Sequence, residues 1–256
     1  MNTLIIFARA PIRGQVKTRL MADTPLGESH ILALYEAFLK DTLLLASRTG
    51  AHSIAVHYTP PDAENLMRET VASLGLGARN ERRFTYTPQQ GETFTARVAS
   101  AFKHEARMGG QWLVMIGSDA PLIRPEVVDE AFRFVHDNTG MALGPSGEGG
   151  LYLIGLPAGA PMDFAGVFTQ GSELENLHQI ARSMNMPLRI LPETLDVDVG
   201  ADLVSLIGLA RALDYERKFA ENAYPIHTGK TLADLRLRVG RAVDASRGKI
   251  VEIGDE

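Results

Sequence analysis

An uncharged apolar stretch near the middle of the chain, followed at once by a tight turn, constrains the fold most. The five residues Trp112–Ile116 (W-L-V-M-I) carry no charge. A strand without polar alternation is typical of a parallel sheet that is covered on both faces. The turn that follows, G-S-D-A-P, presents Asp119 at the carboxyl end of this strand, and ligands of open α/β sheets collect at that edge. The alternative interpretation is that Asp119 only caps the turn.

Strand-like and helix-like patterns alternate along the chain, which predicts a mostly parallel sheet. Strands are expected at Thr3–Ala8, Ser53–Tyr58, Arg83–Thr87, Trp112–Ile116, Met141–Pro145, Leu151–Leu156 and Pro187–Leu191. Helices are expected at Ser29–Arg48, Asp62–Leu74, Thr93–Arg107, Pro125–Val135, Ser172–Met184 and Leu203–Ala220. A last amphipathic helix around Thr231–Ala245 is expected to pack on the domain or on a second subunit of a homodimer. We therefore divide the chain into a catalytic domain, residues 1–204, and a helical extension, residues 205–256.

The composition excludes several classes of protein. At 256 residues and 45% hydrophobic content the chain can build a large core. Its net charge of -5 gives no reason to expect a nucleic acid or an anionic membrane as partner. The absence of cysteine rules out disulfides and thiolate metal ligands and fits a reducing compartment. No stretch approaches the ~20 apolar residues of a membrane span, and Arg9 and Arg13 interrupt the first apolar run, so we expect a cytoplasmic protein without a secretory signal.

A basic segment, R-A-P-I-R-G-Q-V-K-T-R-L, follows the first predicted strand as a loop, residues 9–20. Gly14 lets the backbone approach a ligand closely, while Lys17 and Arg19 are suited to charge-assisted hydrogen bonds with phosphate oxygens. The alternative is a solvated basic loop. Dinucleotide binding is disfavoured, because the G-x-G-x-x-G turn is missing after the first strand.

Further acidic and polar side chains are expected near the same sheet edge. In the late segment L-D-V-D-V-G-A-D-L, Asp196 and Asp198 face the same side if the chain is extended. Together with Asp119 they suit Mg²⁺ or Mn²⁺ bound to a nucleotide, because such an ion takes one or two carboxylates and completes its shell with phosphates and water. Gln90 and Ser118 follow predicted strands and are assigned to nucleotide binding. Glu148 is the only charge in S-G-E-G-G, and its side chain faces either a substrate or solvent.

Four motifs resemble a bacterial family of GT-A-type, nucleotide-diphospho-sugar-transferase-like proteins, and the resemblance spans about the first four-fifths of the chain. They are F-A-R-A-P-I-R-G-Q-V-K-T-R-L (7–20), I-G-S-D-A-P-L (116–122), L-G-P-S-G-E-G-G-L-Y-L-I-G-L (143–156) and D-V-D-V-G-A-D-L (196–203). The same motifs are similar to those of 2-phospho-lactate guanylyltransferases and, more distantly, cytidylyltransferases. The resemblance implies a Rossmann-like three-layer α/β/α sandwich with a C-terminal helical extension.

The resemblance also implies roles for individual residues. Asp119 matches a metal-binding aspartate and Asp198 the second ligand, and Asp196 is a weaker candidate than Asp198. Lys17 and Arg19 match phosphate-contacting residues, and Ala8 and Arg9 lie where base and ribose would be held. Lys17, Asp119 and Glu148 are the predicted catalytic residues.

Several positions depart from the family pattern, all on the acceptor side. Glu148 stands where aspartate is usual, Leu151 where tyrosine is usual and Thr95 where glycine is common, and the usual tryptophan is missing near residues 169–172. The donor half of the site is therefore better supported than the acceptor half.

The expected function is a metal-dependent glycosyltransferase that uses a nucleotide-diphospho-sugar and a small acceptor. The alternative is a nucleotidyltransferase that joins a nucleoside triphosphate to a small phosphorylated acceptor. A second alternative is a catalytically silent member that retains nucleotide binding. Fold resemblance is a weak guide to reaction type, so all three stay open at this point.

Overall fold

The structure, a computed structural model, describes residues 1–222, 224–242 and 248–254. The chain forms two compact units. One, the sheet unit, comprises Met1–Ala10, Leu43–Ser118 and Arg124–Thr194. The other, the helical unit, comprises Pro11–Thr42, Asp119–Ile123 and Leu195–Glu256. The domain boundary placed after residue 204 stays a prediction.

The sheet unit is built on a seven-stranded sheet that lies within residues 1–222. Its strands are β1 (Asn2–Arg9), β2 (Ser53–Thr59), β3 (Phe84–Pro88), β4 (Trp112–Gly117), β5 (Met141–Pro145), β6 (Leu151–Pro157) and β7 (Leu188–Ile190). They lie in the order β3-β2-β1-β4-β6-β5-β7, and only β6 runs antiparallel to its neighbours. Each predicted strand is present within one residue at either end, because apolar runs bounded by turns mark buried strands well.

Helices cover both faces of this sheet. The helices of the unit are α3 (Glu64–Ala72), α4 (Ala78–Glu81), α5 (Phe94–Arg107), α6 (Pro125–Asn138) and α7 (Glu173–Ser183). Leu113 and Met115 of β4 share a buried cluster with side chains of α5 and α7. Val114 points to the opposite face, where Val135 of α6 packs close to Gly155. The predicted three-layer α/β/α fold is therefore confirmed.

The described residues of the helical unit form short and long helices and an antiparallel pair of strands, β8 and β9, which we call the hairpin. Its elements are α1 (Thr18–Ala22), α2 (Glu28–Arg48, whose residues from Leu43 on belong to the sheet unit), α8 (Gly200–Glu216), α9 (Ile226–Asp234), β8 (Leu237–Arg241) and β9 (Lys249–Ile253). Leu20 of α1, Phe38 of α2 and Leu206 of α8 are fully buried in one cluster with Leu237 and Val251 of the hairpin. Among the described helices, none is long and apolar enough to pass through a lipid bilayer.

Three local predictions were wrong. The basic loop contains a helix, α1. The helix expected to begin at Asp62, α3, begins at Glu64 and has Ala63 as its N-cap. The helix expected around residues 231–245 ends at Asp234, and β8 follows, because Leu237 enters the core from an extended strand. Residues 243–247 of that prediction lie outside the described part of the chain.

Candidate metal centre

Three carboxylates meet within the helical unit, and we call Asp119, Asp196 and Asp198 the acidic trio. One oxygen from each lies within 4.8 Å of the others. The turn after β4 supplies Asp119, and the segment before α8 supplies the other two. The backbone nitrogen of Val197 donates to the Asp119 carbonyl oxygen at 3.0 Å, which ties the two segments together. Because Val197 is fully buried, the aspartates on either side of it project together from the opposite side of this segment.

The segment that carries Asp198 is held by the start of α8. Asp202 Oδ2 accepts hydrogen bonds of 2.9 Å from the backbone nitrogens of Asp198 and Val199. Asp23, which directly follows α1, accepts one of 2.8 Å from the nitrogen of Gly200. A Cβ on Gly200 would lie 3.0 Å from Asp23 oxygens, so a larger residue would separate these segments. Neither Asp202 nor Asp23 was predicted from the sequence as a residue of the site.

Lys17 places a positive charge on the acidic trio. Its Nζ lies 3.0 Å from Asp119 Oδ2 and 2.8 Å from Asp198 Oδ1, and its side chain is only 4% exposed. Burial alone lowers the pKa of Lys17, but Asp119 and Asp198 together raise that pKa above its ordinary value. The ammonium is therefore charged, and it is held by two carboxylates that the sequence predicted as metal ligands.

Asp196 is the least satisfied member of the acidic trio. Its Oδ1 is buried and has no hydrogen-bond partner among the described residues. Burial and then the charge of Asp119 raise the pKa of Asp196 to about 7, although Lys17 acts in the opposite direction. A buried carboxylate oxygen without a partner is costly unless a cation or a donor satisfies it.

The acidic trio fits a small divalent cation. Mg²⁺ binds oxygen ligands at ~2.1 Å, so two ligands of one ion are at most about 4.2 Å apart. The three oxygens lie within 4.8 Å of one another, which exceeds that requirement by at most about 0.6 Å. Hard carboxylate oxygens suit Mg²⁺ or Mn²⁺, and the unpartnered oxygen of Asp196 makes this residue as strong a candidate ligand as Asp198.

The other predicted residues of the helical unit lie in and before α1. Gly14 has a φ of +74°, a backbone conformation that glycine adopts without strain. Arg19 is exposed on α1. Neither Gly14 nor Arg19 belongs to the acidic trio, and their assignment to nucleotide binding stays a prediction.

The remaining predicted residues lie in the sheet unit. Ala8 is buried in β1, and its carbonyl oxygen accepts a hydrogen bond from Gln89 Nε2 at 3.1 Å. Arg9 is exposed at the end of β1, Ser118 is buried after β4, and Gln90 is exposed after β3. Gln89 also donates to the carbonyl oxygen of the β2 residue His57 at 3.0 Å. The sequence singled out Gln90, whereas its neighbour Gln89 connects β1 and β2.

Glu148 lies in a strained turn of the sheet unit. It has a φ of +58°, and the next residue, Gly149, has a φ of +76°. The hydroxyl of Ser172, at the start of α7, donates to the Gly149 carbonyl oxygen at 2.8 Å. A Cβ on Gly149 would lie 2.4 Å from that hydroxyl, so the loop needs glycine there. An exposed carboxylate is thus held in an unfavourable backbone conformation, which is typical of functional positions.

Comparison with solved structures places the fold among nucleotide-dependent transferases. A Desulfovibrio desulfuricans G20 protein, provisionally named a nucleotide-diphospho-sugar transferase, is 26% identical, with 91% of this chain and 95% of that chain covered and a TM-score of 0.74. A Leptospira borgpetersenii cytidylyltransferase is 13% identical, covers 91% and 94%, and has a TM-score of 0.51. A 4-diphosphocytidyl-2C-methyl-D-erythritol synthase from Anaerococcus prevotii is 8% identical, covers 82% and 96%, and has a TM-score of 0.54. The last two show the fold alone.

The comparisons agree with the resemblance seen in the motifs, and that resemblance is confirmed. No curated protein matches the chain significantly. A family model does match residues 42–170, about half of the chain, and its description is "Uncharacterized protein conserved in bacteria (DUF2064)". This chain therefore belongs to the DUF2064 family of bacterial proteins.

Proposed function

We propose that this chain is a metal-dependent transferase that uses a nucleotide donor, with the acidic trio and Lys17 at its donor site. The observation that carries the proposal is the trio itself, with three carboxylates within 4.8 Å and a buried oxygen of Asp196 that lacks a partner among the described residues. The name of the 26% identical Desulfovibrio protein supports a nucleotide-utilising transferase. We also propose a cytoplasmic enzyme, because cysteine is absent from the chain.

Each charged residue has a distinct role in this proposal. Asp119, Asp196 and Asp198 would hold Mg²⁺ or Mn²⁺. The bound ion supplies positive charge where negative charge grows on the departing phosphate. Lys17 adds a second positive charge beside the acidic trio, and Arg19 is exposed on the same short helix, where it can bind phosphate oxygens.

Glycosyl transfer is the form of the reaction that we favour. An acceptor oxygen bonds to the anomeric carbon of the donor sugar, and the bond from that carbon to the β-phosphate oxygen breaks. The nucleoside diphosphate leaves with the electron pair, and the acceptor proton passes to a base. Glu148 is our candidate for that base, since it is an exposed carboxylate fixed in a strained turn.

Nucleotidyl transfer is the second candidate. An acceptor phosphate oxygen bonds to the α-phosphorus of a nucleoside triphosphate, and pyrophosphate leaves. The observation that favours it is that Lys17 and Arg19 both lie at the start of α1, because two cations suit the larger charge of a triphosphate.

Thermal unfolding with Mn²⁺ and a panel of nucleotides separates these reactions. Ligands that bind only the folded chain raise its melting temperature. Nucleotide-diphospho-sugars are expected to stabilise the chain only when Mn²⁺ is present, and Asp119→Asn is expected to abolish that shift. Asp62→Asn, at an exposed aspartate of the sheet unit, is the matched control and should behave like the wild type.

The other outcomes are equally informative. If only nucleoside triphosphates stabilise the chain, the proposal of glycosyl transfer is wrong and nucleotidyl transfer is supported. If Asp119→Asn still binds nucleotides and the binding needs no metal, the chain is a catalytically silent nucleotide-binding protein. The proposal of a metal-dependent transferase would then be wrong.

A further inference from the structure

The position of Lys17 raises a question that phosphate binding alone does not answer. A side chain that only contacts an incoming phosphate is expected to lie in solvent before the phosphate arrives. The Lys17 side chain is instead 4% exposed, with its ammonium 3.0 Å from Asp119 and 2.8 Å from Asp198. It therefore uses the same two carboxylates that the proposed metal needs.

The backbone is strained to put the ammonium there. Lys17 is the N-cap of α1 and has φ 47° and ψ 41°, the left-handed conformation. N-cap residues normally have extended backbones, and left-handed conformations are unfavourable for residues other than glycine, asparagine and aspartate. Contacts within the helical unit hold this conformation, since Leu20 of α1 is buried in its core and Asp23 binds the nitrogen of Gly200.

Lys17 alone also does not balance the negative charge of the acidic trio. One ammonium faces three carboxylates, and it contacts Asp119 and Asp198 while Asp196 Oδ1 has no hydrogen-bond partner among the described residues. A divalent cation brings one more positive charge than Lys17 does. It can also engage the oxygen that Lys17 leaves unsatisfied.

We propose that Lys17 is a resident counter-ion that a divalent cation displaces from Asp119 and Asp198. The proposal rests on the metal site of the proposed function and adds a competition to it. The ammonium keeps the acidic trio together before the metal arrives, and it lowers the affinity of the trio for the metal. Displacement frees a positive charge next to the place where donor phosphates would bind.

This competition predicts the sign of a mutational effect. Lys17→Met keeps the length of the side chain and removes its charge. Mn²⁺ should then bind the chain more tightly in the absence of any nucleotide, by about 5- to 100-fold, the usual range for coupling between two binding events. Lys17→Arg keeps the charge and should stay close to the wild type. A lysine that lay in solvent and contacted only the donor phosphates would give no gain in metal affinity.

Mn²⁺ titration of the full chain, followed by electron paramagnetic resonance, tests the proposal. The variants are Lys17→Met, Lys17→Arg and Lys230→Met, a control at an exposed lysine paired with Asp234. Tighter Mn²⁺ binding by Lys17→Met alone supports the competition. Unchanged or weaker binding by that variant overturns it while leaving the metal site intact. Failure of the wild type to bind Mn²⁺, with or without nucleotide, overturns the metal site and the competition together.

A second measurement on the wild type covers the case in which Lys17→Met does not fold. In a chain with ¹⁵N-labelled lysine, the buried Lys17 ammonium should give an Nζ signal protected from solvent exchange. Mg²⁺ should shift that signal or remove its protection. A protected signal that persists at a Mg²⁺ concentration that saturates the site would overturn the displacement.

Discussion

Asp23 Oδ2 accepts a 2.8 Å hydrogen bond from the backbone nitrogen of Gly200, 177 residues later in the chain. Lys17, at the other end of the five-residue helix α1, binds Asp198 in the same late segment. Both ends of α1 are therefore attached to the start of α8. This double attachment fixes the position of Asp198 relative to Asp119.

The first prediction concerns Asp23. Asp23→Ala removes the acceptor at the start of α8 and should lower the free energy of unfolding by about 1 kcal/mol, as loss of a helix cap usually does. It should also weaken Mn²⁺ binding several-fold, because Asp198 is then held less firmly. Asp23→Asn retains a side-chain oxygen and should recover most of both losses. Equal Mn²⁺ affinity for Asp23→Ala and wild type, by calorimetric titration, would show that the attachment does not position the site.

The second prediction concerns the strained turn at Glu148. Glu148→Gly removes the strain of a φ of +58° but adds freedom to the unfolded chain, so its free energy of unfolding should be about 0–1 kcal/mol higher than that of the wild type. Transfer to the acceptor should fall at least tenfold, because the proposed base is lost. Mn²⁺ binding should not change. A fully active Glu148→Gly enzyme would remove Glu148 from the catalytic residues.

Arg83 gives a prediction on stability within the sheet unit. Its guanidinium donates to the carbonyl oxygens of Ser47, Thr49 and Ala51, at 2.8, 2.9 and 2.5 Å, and so joins the end of α2 to the start of β2. Arg83→Met leaves these acceptors without that donor and should lower the free energy of unfolding by about 2–3 kcal/mol in urea unfolding. The control is Arg79→Met, at an exposed position of α4. This variant should change the free energy of unfolding by less than about 0.5 kcal/mol.

The raised pKa of Tyr152 predicts how the stability of the fold changes at alkaline pH. Burial, and then the charge of Glu130, raise the pKa of Tyr152 from 10.0 to about 12. Well below pH 10.0 the phenol is neutral in both the folded and the unfolded chain, and its ionisation does not affect stability. As the pH rises from about 10 towards 12, the unfolded chain ionises first, so the folded chain loses up to about 2–3 kcal/mol.

Tyr152→Phe isolates this effect. The variant should be about 1 kcal/mol less stable near neutral pH, because it lacks the hydrogen bond to the Pro192 carbonyl oxygen at 2.8 Å. Its stability should then fall less steeply than that of the wild type above about pH 10. Parallel curves for the two proteins across this range of pH would show that the pKa of Tyr152 is not raised by the fold.

The sheet could be predicted from sequence because its strands are apolar runs with clear ends. The reversed direction of β6 could not, since Leu151–Leu156 has the same apolar pattern as its parallel neighbours. The hairpin was misread as a helix because Leu232, Leu235 and Val239 recur at intervals of three and seven residues, which is a helical spacing. Only the pairing of β8 with β9 shows that Leu237 enters the core from a strand.

The residue types of the candidate site could be predicted from the sequence, but the contacts that hold those residues in place could not. Asp119, Asp196 and Asp198 were identified because carboxylates follow apolar strands in recognisable motifs. The hydrogen bond from Gly200 to Asp23 links segments that are far apart in the chain, and no local pattern encodes it. The burial of Lys17 could not be predicted from the sequence either, because basic residues in a loop usually remain in solvent.

The most direct test of the account is a crystal structure of the chain soaked with Mn²⁺, with the anomalous scattering of manganese used to locate the ion. We predict one peak at about 2.1–2.2 Å from carboxylate oxygens of Asp119, Asp196 and Asp198, with Lys17 withdrawn from Asp119 and Asp198. No manganese at the acidic trio, with Lys17 still bound to both carboxylates, would contradict the account.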